Sequence, residues 1–366
     1  MHYRSVMNDL RLAEMNHLRV GDRIDALARI GPTSLPLLSV YLNTGVNETG
    51  HTTHDVFLRK EFRQRANTYP ERSPERESLE RDRERIERYL ADELQPSTRG
   101  AAFVACSGTG LFEAIQVPVP FARNRLVVSD RPHLYPLVRL DEAYPRYAAL
   151  LVDTHSARIF VFGTGAILAS LDVQNPKTKH FKAGGWSQAR FQRHVENLYL
   201  HHAKEVVERL DQIVSPEGIE HVVIAGDEVI VPLLKAQLPE RLAGKIVDVL
   251  RLDIRSPEHK VLTATLEALR RKDEETDEAV ARDLIDEYRA GGLAVVGPEL
   301  VREALERGQV DTLVITAEPG RLRGADDAAN DLVTLARQTA ASVRFIENPE
   351  LLAGVGGVGA SLRFAL

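Results

Sequence analysis

Three apolar runs, separated by turns too short to hold a helix, most constrain this chain. They are residues 147–153 (Y-A-A-L-L-V-D), 157–162 (A-R-I-F-V-F) and 166–173, with Gly163-Thr164-Gly165 closing the second turn. Strands joined this tightly pair antiparallel, because a parallel crossover needs a dozen or more connecting residues. The pattern then changes period. Phe191, Val195, Leu198, His202, Val206 and Leu210 recur at intervals of three or four, which predicts a helix over about 187–210 with one buried stripe. A fully apolar run at 221–225 follows, then a helix through 231–238, a strand at 246–250 and a helix from Glu258 to Arg271 or beyond. A meander continued by strand and helix in alternation predicts an α/β domain.

At 366 residues the chain exceeds one ordinary core, and the flanks have patterns of their own. Residues 9–30 suggest helical pieces broken near Gly21, and 37–42 a buried strand. The Arg/Glu-rich tract 56–94 fits a helical hairpin bent at Pro70 and Pro74, its charges reading as solvated faces laced with ion pairs. Residues 100–106 and 111–117 form a strand pair around Ser107-Gly108-Thr109-Gly110. Residues 140–146 read as a linker. The acidic run 273–278 reads as the start of a long helix ended at Gly291-Gly292. After it, β and α alternate, with strands at 293–296, 312–316 and 342–346 and a last strand at 361–364. The expected fold class is therefore α/β and α+β in three domains: 1–140, 141–275 and 276–366, the last a small α/β/α sandwich.

Composition excludes several function classes. A single cysteine, Cys106, leaves no disulfide framework and no cysteine-rich zinc site, which suits a reducing, cytoplasmic setting. No run approaches a membrane span, and the first residues lack the apolar core of a signal peptide. The net charge of −6 argues against general coating of nucleic acid, so any such contact must be a local patch. Gly354-Val355-Gly356-Gly357-Val358-Gly359 has the spacing of a dinucleotide fingerprint but ends the chain instead of opening a βαβ unit. His180, His194, His201 and His202 have no metal-site spacing, with His202 on the apolar stripe, and no metal or cofactor is expected. Asp153, His155 and Ser156 share one short turn, which cannot form a catalytic relay.

What remains is the stretch Lys177-Thr-Lys179-His-Phe-Lys182-Ala-Gly184-Gly185-Trp186-Ser187-Gln188-Ala-Arg190-Phe191-Gln-Arg193. From Pro176 to Val195 it holds five Lys or Arg and no acid, although acids outnumber bases 53 to 47 overall. Adjacent glycines permit close backbone approach and expose N–H groups to an oxyanion or phosphate. The bases suit a phosphate backbone, and Trp186 and Phe191 suit stacking on bases. A solvated surface loop, with Trp186 tucked against its own domain, is the plain alternative.

This stretch, set between a meander and a long helix, resembles the Gly-Gly-Gln loop and S-x-x-R-F-x-R helix of archaeal and eukaryotic class I release factors. Residues 356–364 resemble the end of the third domain in release factors and Pelota, and 37–42 more weakly a first-domain strand. The resemblance covers the chain in domain order, with strong motifs in two places. It suggests a bacterial branch of the superfamily, which includes rescue hydrolases and the hibernation factor Balon. It implies a ribonuclease H-like middle domain and, as partner, the ribosome, through the rRNA of the peptidyl-transferase centre and peptidyl-tRNA. It leaves room for a translational GTPase such as elongation factor Tu.

Carried over residue by residue, Gly184, Gly185, Ser187, Arg190, Phe191 and Arg193 match. Lys177, Lys179, Lys182 and Trp186 join Ser187, Arg190, Phe191 and Arg193 as the RNA-facing set. Trp186 stands where the family has glutamine, and Gln188 follows two positions later, so Gly184, Gly185 and Gln188 form the candidate catalytic set. The stop-codon signatures N-I-K-S and Y-x-C-x-x-x-F are missing from the sequence. Two readings stay open: a non-catalytic factor of stalled or idle ribosomes, and a codon-independent peptidyl-tRNA hydrolase. A third, a ribonuclease H-like nuclease, has only Asp153 and Asp227 as strand-end carboxylates and ranks last.

Overall fold

The computed structural model describes residues 11–12, 20–45, 54–174, 188–318, 320, 322 and 325–364. They form three sheets and divide into two compact units, one of residues 1–16 and 144–273, the other of 17–143 and 274–366.

The first unit contains the meander. Strands β6 (Tyr147–Val152), β7 (Ser156–Gly163) and β8 (Ala166–Gln174) pair antiparallel in sequence order. The β7–β8 turn places both Thr164 (φ 51°) and Gly165 (φ 74°) in the left-handed region, which matches the twist of the strands it joins. Strands β9 (His221–Gly226) and β10 (Ile246–Leu250) extend the sheet in parallel from β6, and the short β1 (Arg11–Leu12) adds to β8. Meander plus two parallel strands is the arrangement expected of a ribonuclease H-like domain.

Both faces of this sheet are covered. Leu150, Val152, Ile159, Val222 and Ile224 pack with Ala203, Val206, Leu210 and Ile213 of helix α5 (Gln188–Val214), and with Ile230 and Leu234 of α6 (Ile230–Lys235). The alternate residues Tyr147, Ala149, Leu151, Phe160 and Phe162 meet Val261 and Leu269 of α8 (Glu258–Arg289). Burial pushes the Tyr147 phenol up to about 12, and its hydroxyl lies 2.9 Å from Thr265 Oγ1. A four-residue helix, α7 (Glu240–Ala243), precedes β10.

In the second unit, β2 (Leu37–Asn43), β3 (Gly100–Cys106), β4 (Leu111–Val117) and β5 (Arg125–Ser129) make an antiparallel sheet in the order β4-β3-β2-β5. Helices α2 (His54–Ala66) and α3 (Pro74–Asp92) form the expected hairpin and bury Leu58, Phe62, Leu79 and Ile86 against this sheet. The Ser73 hydroxyl caps α3 by accepting from Arg76 N at 3.2 Å, and Pro74 opens it.

The third sheet runs β11-β14-β12-β13, from β11 (Ala294–Val296), β12 (Val310–Thr316), β13 (Ser342–Ile346) and β14 (Val358–Leu362). Val314 and Ile346 pack with Ala281 and Leu284 of α8 on one face. Helices α9 (Pro298–Glu306) and α10 (Ala325–Gln338) bury Val301, Leu305, Leu332 and Val333 and complete the α/β/α layers. The tail glycines form a turn after α11 (Glu350–Ala353): Gly356 and Gly357, at φ 80° and 83°, feed β14 into the centre of the sheet.

Four expectations need correction. Residues 9–30 are not two helical pieces: Arg11–Leu12 form β1, and the described helix α1 (Val20–Ala28) starts beside Gly21. Residues 140–143 are not linker but the end of α4 (Tyr135–Ala143), whose Leu137, Val138 and Leu140 are buried. The acids 273–278 do not start a helix, since α8 runs unbroken for 32 residues. Instead Asp277 is buried and paired with Arg344 at 2.9 Å. The last strand begins at Val358, three residues before Ser361.

Candidate functional site

The basic glycine stretch joins the end of β8 at Gln174 to the start of α5 at Gln188. Lys177, Lys179, Lys182, Gly184, Gly185, Trp186 and Ser187 lie outside the described residues. Gln188, Arg190 and Phe191 occupy the first turn of α5, and Arg193 is exposed one turn later. The backbone therefore puts four of the predicted residues at one end of a helix whose other end is anchored in the core.

That anchoring is uneven along α5. His202, Ala203, Val206, Val207, Leu210, Ile213 and Val214 are buried, whereas Val195, Leu198, Tyr199 and Leu200 are only half-buried and Arg193, Glu196, Asn197 and His201 are exposed. The apolar spacing from Phe191 to Leu210 is regular in sequence, yet among the described side chains of α5 full burial begins at His202. His202 lies about 20 Å along the helix axis from Gln188, so the fully buried side chains described on α5 sit well away from the end that carries the motif. Spacing could not reveal this, because periodicity names a face without saying how far the sheet beneath it extends.

The carboxylates behind the nuclease reading are also placed. The parallel register sets Val152 opposite Gly226, so Asp153 and Asp227 follow neighbouring strand ends. A Cβ on Gly226 would come within 2.6 Å of Val152 O, so only glycine fits there. Each carboxylate is engaged locally. Asp153 Oδ1 accepts from His155 N and Ser156 N, both at 2.7 Å, and Asp227 Oδ1 accepts from Val229 N at 3.0 Å and Ile230 N at 2.9 Å. These are turn and helix-start bonds of short acidic side chains. Among the described residues no three His, Cys, Asp or Glu side chains group as a metal site. Cys106 is fully buried in β3. No described helix is long and apolar enough to cross a membrane.

Residues 132–270 match the family model described as bacterial archaeo-eukaryotic release factor family 10. Over those residues the chain is similar to the release factor and Pelota-like class of translation factors. The matched stretch runs from before α4 into α8 and includes β8, α5 and everything between them. A Mycobacterium tuberculosis H37Rv protein, itself uncharacterised, is 26% identical over 296 residues, 73% of this chain and 78% of that one. The Pelota homologue of Pyrococcus furiosus is 27% identical over 183 residues, 47% of this chain and 50% of that one. Among solved structures, a model of ribosome-bound archaeal Pelota and ABCE1 aligns over 94% of both chains at 14% identity and a TM-score of 0.44. An archaeal translation termination factor aligns over 94% and 97% at 18% and 0.28.

Proposed function

We propose that this chain binds the ribosomal A site, on stalled or idle ribosomes and without stop-codon specificity, with Gly184-Gly185 directed at the peptidyl-transferase centre. One observation carries the reading: the release factor family match spans β8, α5 and the intervening Gly-Gly-Trp-Ser-Gln-Ala-Arg-Phe-Gln-Arg sequence. The exposed and half-buried residues 195–201 of α5 suit an arm that reaches into a narrow site, with Lys177, Lys179, Lys182, Arg190 and Arg193 meeting rRNA phosphates. A translational GTPase would be the natural delivery partner, and rescue and hibernation are the two settings in which such a factor acts.

A second reading, codon-independent peptidyl-tRNA hydrolysis, draws on the retained glycines and on Gln188. Backbone N–H groups at 185 and 186 can stabilise the oxyanion of ester hydrolysis whatever side chain stands at 186. Positioning the water is the step that glutamine would serve, and here only Gln188 is near in sequence. The nuclease reading has no support from Asp153 and Asp227, each of which holds a turn or helix start through Oδ1.

Single-turnover release of labelled peptide from stalled ribosomes separates the first two readings, with ribosome co-sedimentation as the parallel readout. A hydrolase loses about a hundredfold or more of its rate in Gly185→Ala or Gln188→Ala, the scale of removing an oxyanion or positioning group. A binding factor sediments with ribosomes and releases nothing. Absence of ribosome binding at low salt overturns both.

A further inference from the structure

The first sheet of the second unit carries a cationic cleft outside the glycine segment. Of the five arginines on α3, Arg76 and Arg83 pair with Glu80 and Glu87 one turn on, at 3.2 and 3.4 Å. Arg81, Arg85 and Arg88 lie on another face, spaced four and three apart, and are exposed. Among the described residues none of the three has an acid within ion-pair distance.

Arg85 and Arg88 line a cleft of about 410 Å³ with Arg23, Tyr89, Glu93, Phe112, Glu113 and Ala114. Its wall is built. Arg23 is fixed by Glu113 and by Ala114 O at 2.6 Å, and Tyr89 Oη accepts from Gln116 Nε2 at 2.9 Å and meets Phe103 edge-on. The Arg85 guanidinium lies 4.1 Å from the centre of the Phe112 ring. Phe112 belongs to β4, which pairs only with β3 and so forms the sheet edge. A cation stacked on a ring keeps its second planar face open, which suits a planar ligand, and the unpaired arginines on either side suit anions at regular spacing.

We propose that this cleft binds single-stranded RNA, with a base stacked on the Arg85 guanidinium and flanking phosphates held by Arg81 and Arg88. A planar group between spaced anions is the chemistry of a nucleotide strand, whereas an acidic peptide offers the anions without the plane. The inference rests on the ribosome-binding reading only for the source of that strand.

The test measures anisotropy of a short fluorescein-labelled oligouridine with the full chain, beside ribosome co-sedimentation. Arg85→Gln weakens oligouridine binding about tenfold or more, and the double variant Arg81→Gln with Arg88→Gln flattens the logarithmic salt slope by about 1.4, at ~0.7 per phosphate. Arg85→Lys keeps the charge but loses the plane, and it weakens binding nearly as much as Arg85→Gln. Arg83→Gln, on the ion-paired face, binds as wild type, and circular dichroism confirms that every variant folds. Wild-type affinity in Arg85→Gln, full affinity in Arg85→Lys, or equal binding of a polyglutamate peptide overturns the proposal. Oligouridine binding that depends on Arg85 in a chain that fails to sediment with ribosomes refutes the ribosome reading alone. Sedimentation with an affinity indifferent to all three arginines refutes this one alone.

Discussion

His202 is fully buried on α5, and among the described residues neither ring nitrogen has a hydrogen-bond partner. A buried polar group without a partner loses its hydration and gains nothing in exchange, so the position weakens the fold it sits in. His202→Leu, close in volume, should raise stability by about 1 kcal/mol, read as a higher urea midpoint at unchanged slope; a lower midpoint would refute this account. Asp141 presents the charged counterpart. Burial pushes its carboxyl above the usual value, Arg337 opposes that shift, and Asp25 and Asp22 add to it. The folded state thus holds this proton more tightly than the unfolded chain does. The resulting stability is complete below the unfolded carboxylate value of about 3.8 and is lost as pH rises through the raised folded value. Asp141→Asn should therefore be more stable than wild type at neutral pH, with the advantage disappearing in acid. Denaturation midpoints across the carboxylate range read this directly, and a constant difference would count against it.

Among the elements, α4 depends on a cap supplied by another helix. At its first amides, Asn330 Oδ1 of α10 accepts from Leu134 N at 2.7 Å and Tyr135 N at 3.2 Å. Leu134 is fully buried, so water cannot replace the lost acceptor. Asn330→Ala should cost about 1–2 kcal/mol, the upper range for a lost cap, and Asn330→Asp should recover most of it. Equal denaturation midpoints for the alanine and aspartate variants would contradict the cap. Around it, Tyr135 Oη donates to Ala317 O at 3.1 Å, Arg139 reaches both Glu347 oxygens, at 2.9 and 3.1 Å, and Arg337 pairs with Asp25 at 2.8 Å. Residues 140–146 looked like a linker because their polar members dominate a seven-residue window. The buried side of α4 starts earlier, at Tyr135, and faces a partner nearly two hundred residues away.

For the whole molecule, the second unit is discontinuous: residues 17–143 and 274–366 fold together, although 130 residues of chain separate them. A fragment of residues 17–143 keeps its sheet but loses Asn330, Phe345 and Arg337. It should melt below the corresponding transition of the full chain, and adding a fragment of residues 274–366 should restore the difference. Identical melting with and without the second fragment would show that the contacts contribute nothing.

Patterning along the chain reached most elements because the forces behind them are local. The meander, the α2–α3 hairpin, β10 and β13 follow from period, turn glycines and prolines within a few residues. The Gly-Gly stretch was likewise visible as a basic run in an acidic chain, but lies outside the described residues, so only its helix end is placed. β5 went unseen because Arg125–Ser129 is short and half-exposed, and pairing with β2 gives it its place. The unbroken α8 was misread for a related reason: Asp277 looks like a helix-start acid until Arg344, 67 residues on, neutralises it. The arginine cleft had the same limit. Sequence alone counts Arg and Glu on α3 as balanced, and only packing against β4 decides which arginine lies on Phe112. What the sequence by itself determined was most of the strands and helices and the motif at Gly184-Gly185. What tertiary structure alone decided was which distant segments satisfy each buried charge and amide, because that depends on surfaces meeting in space and leaves no periodic trace along the chain.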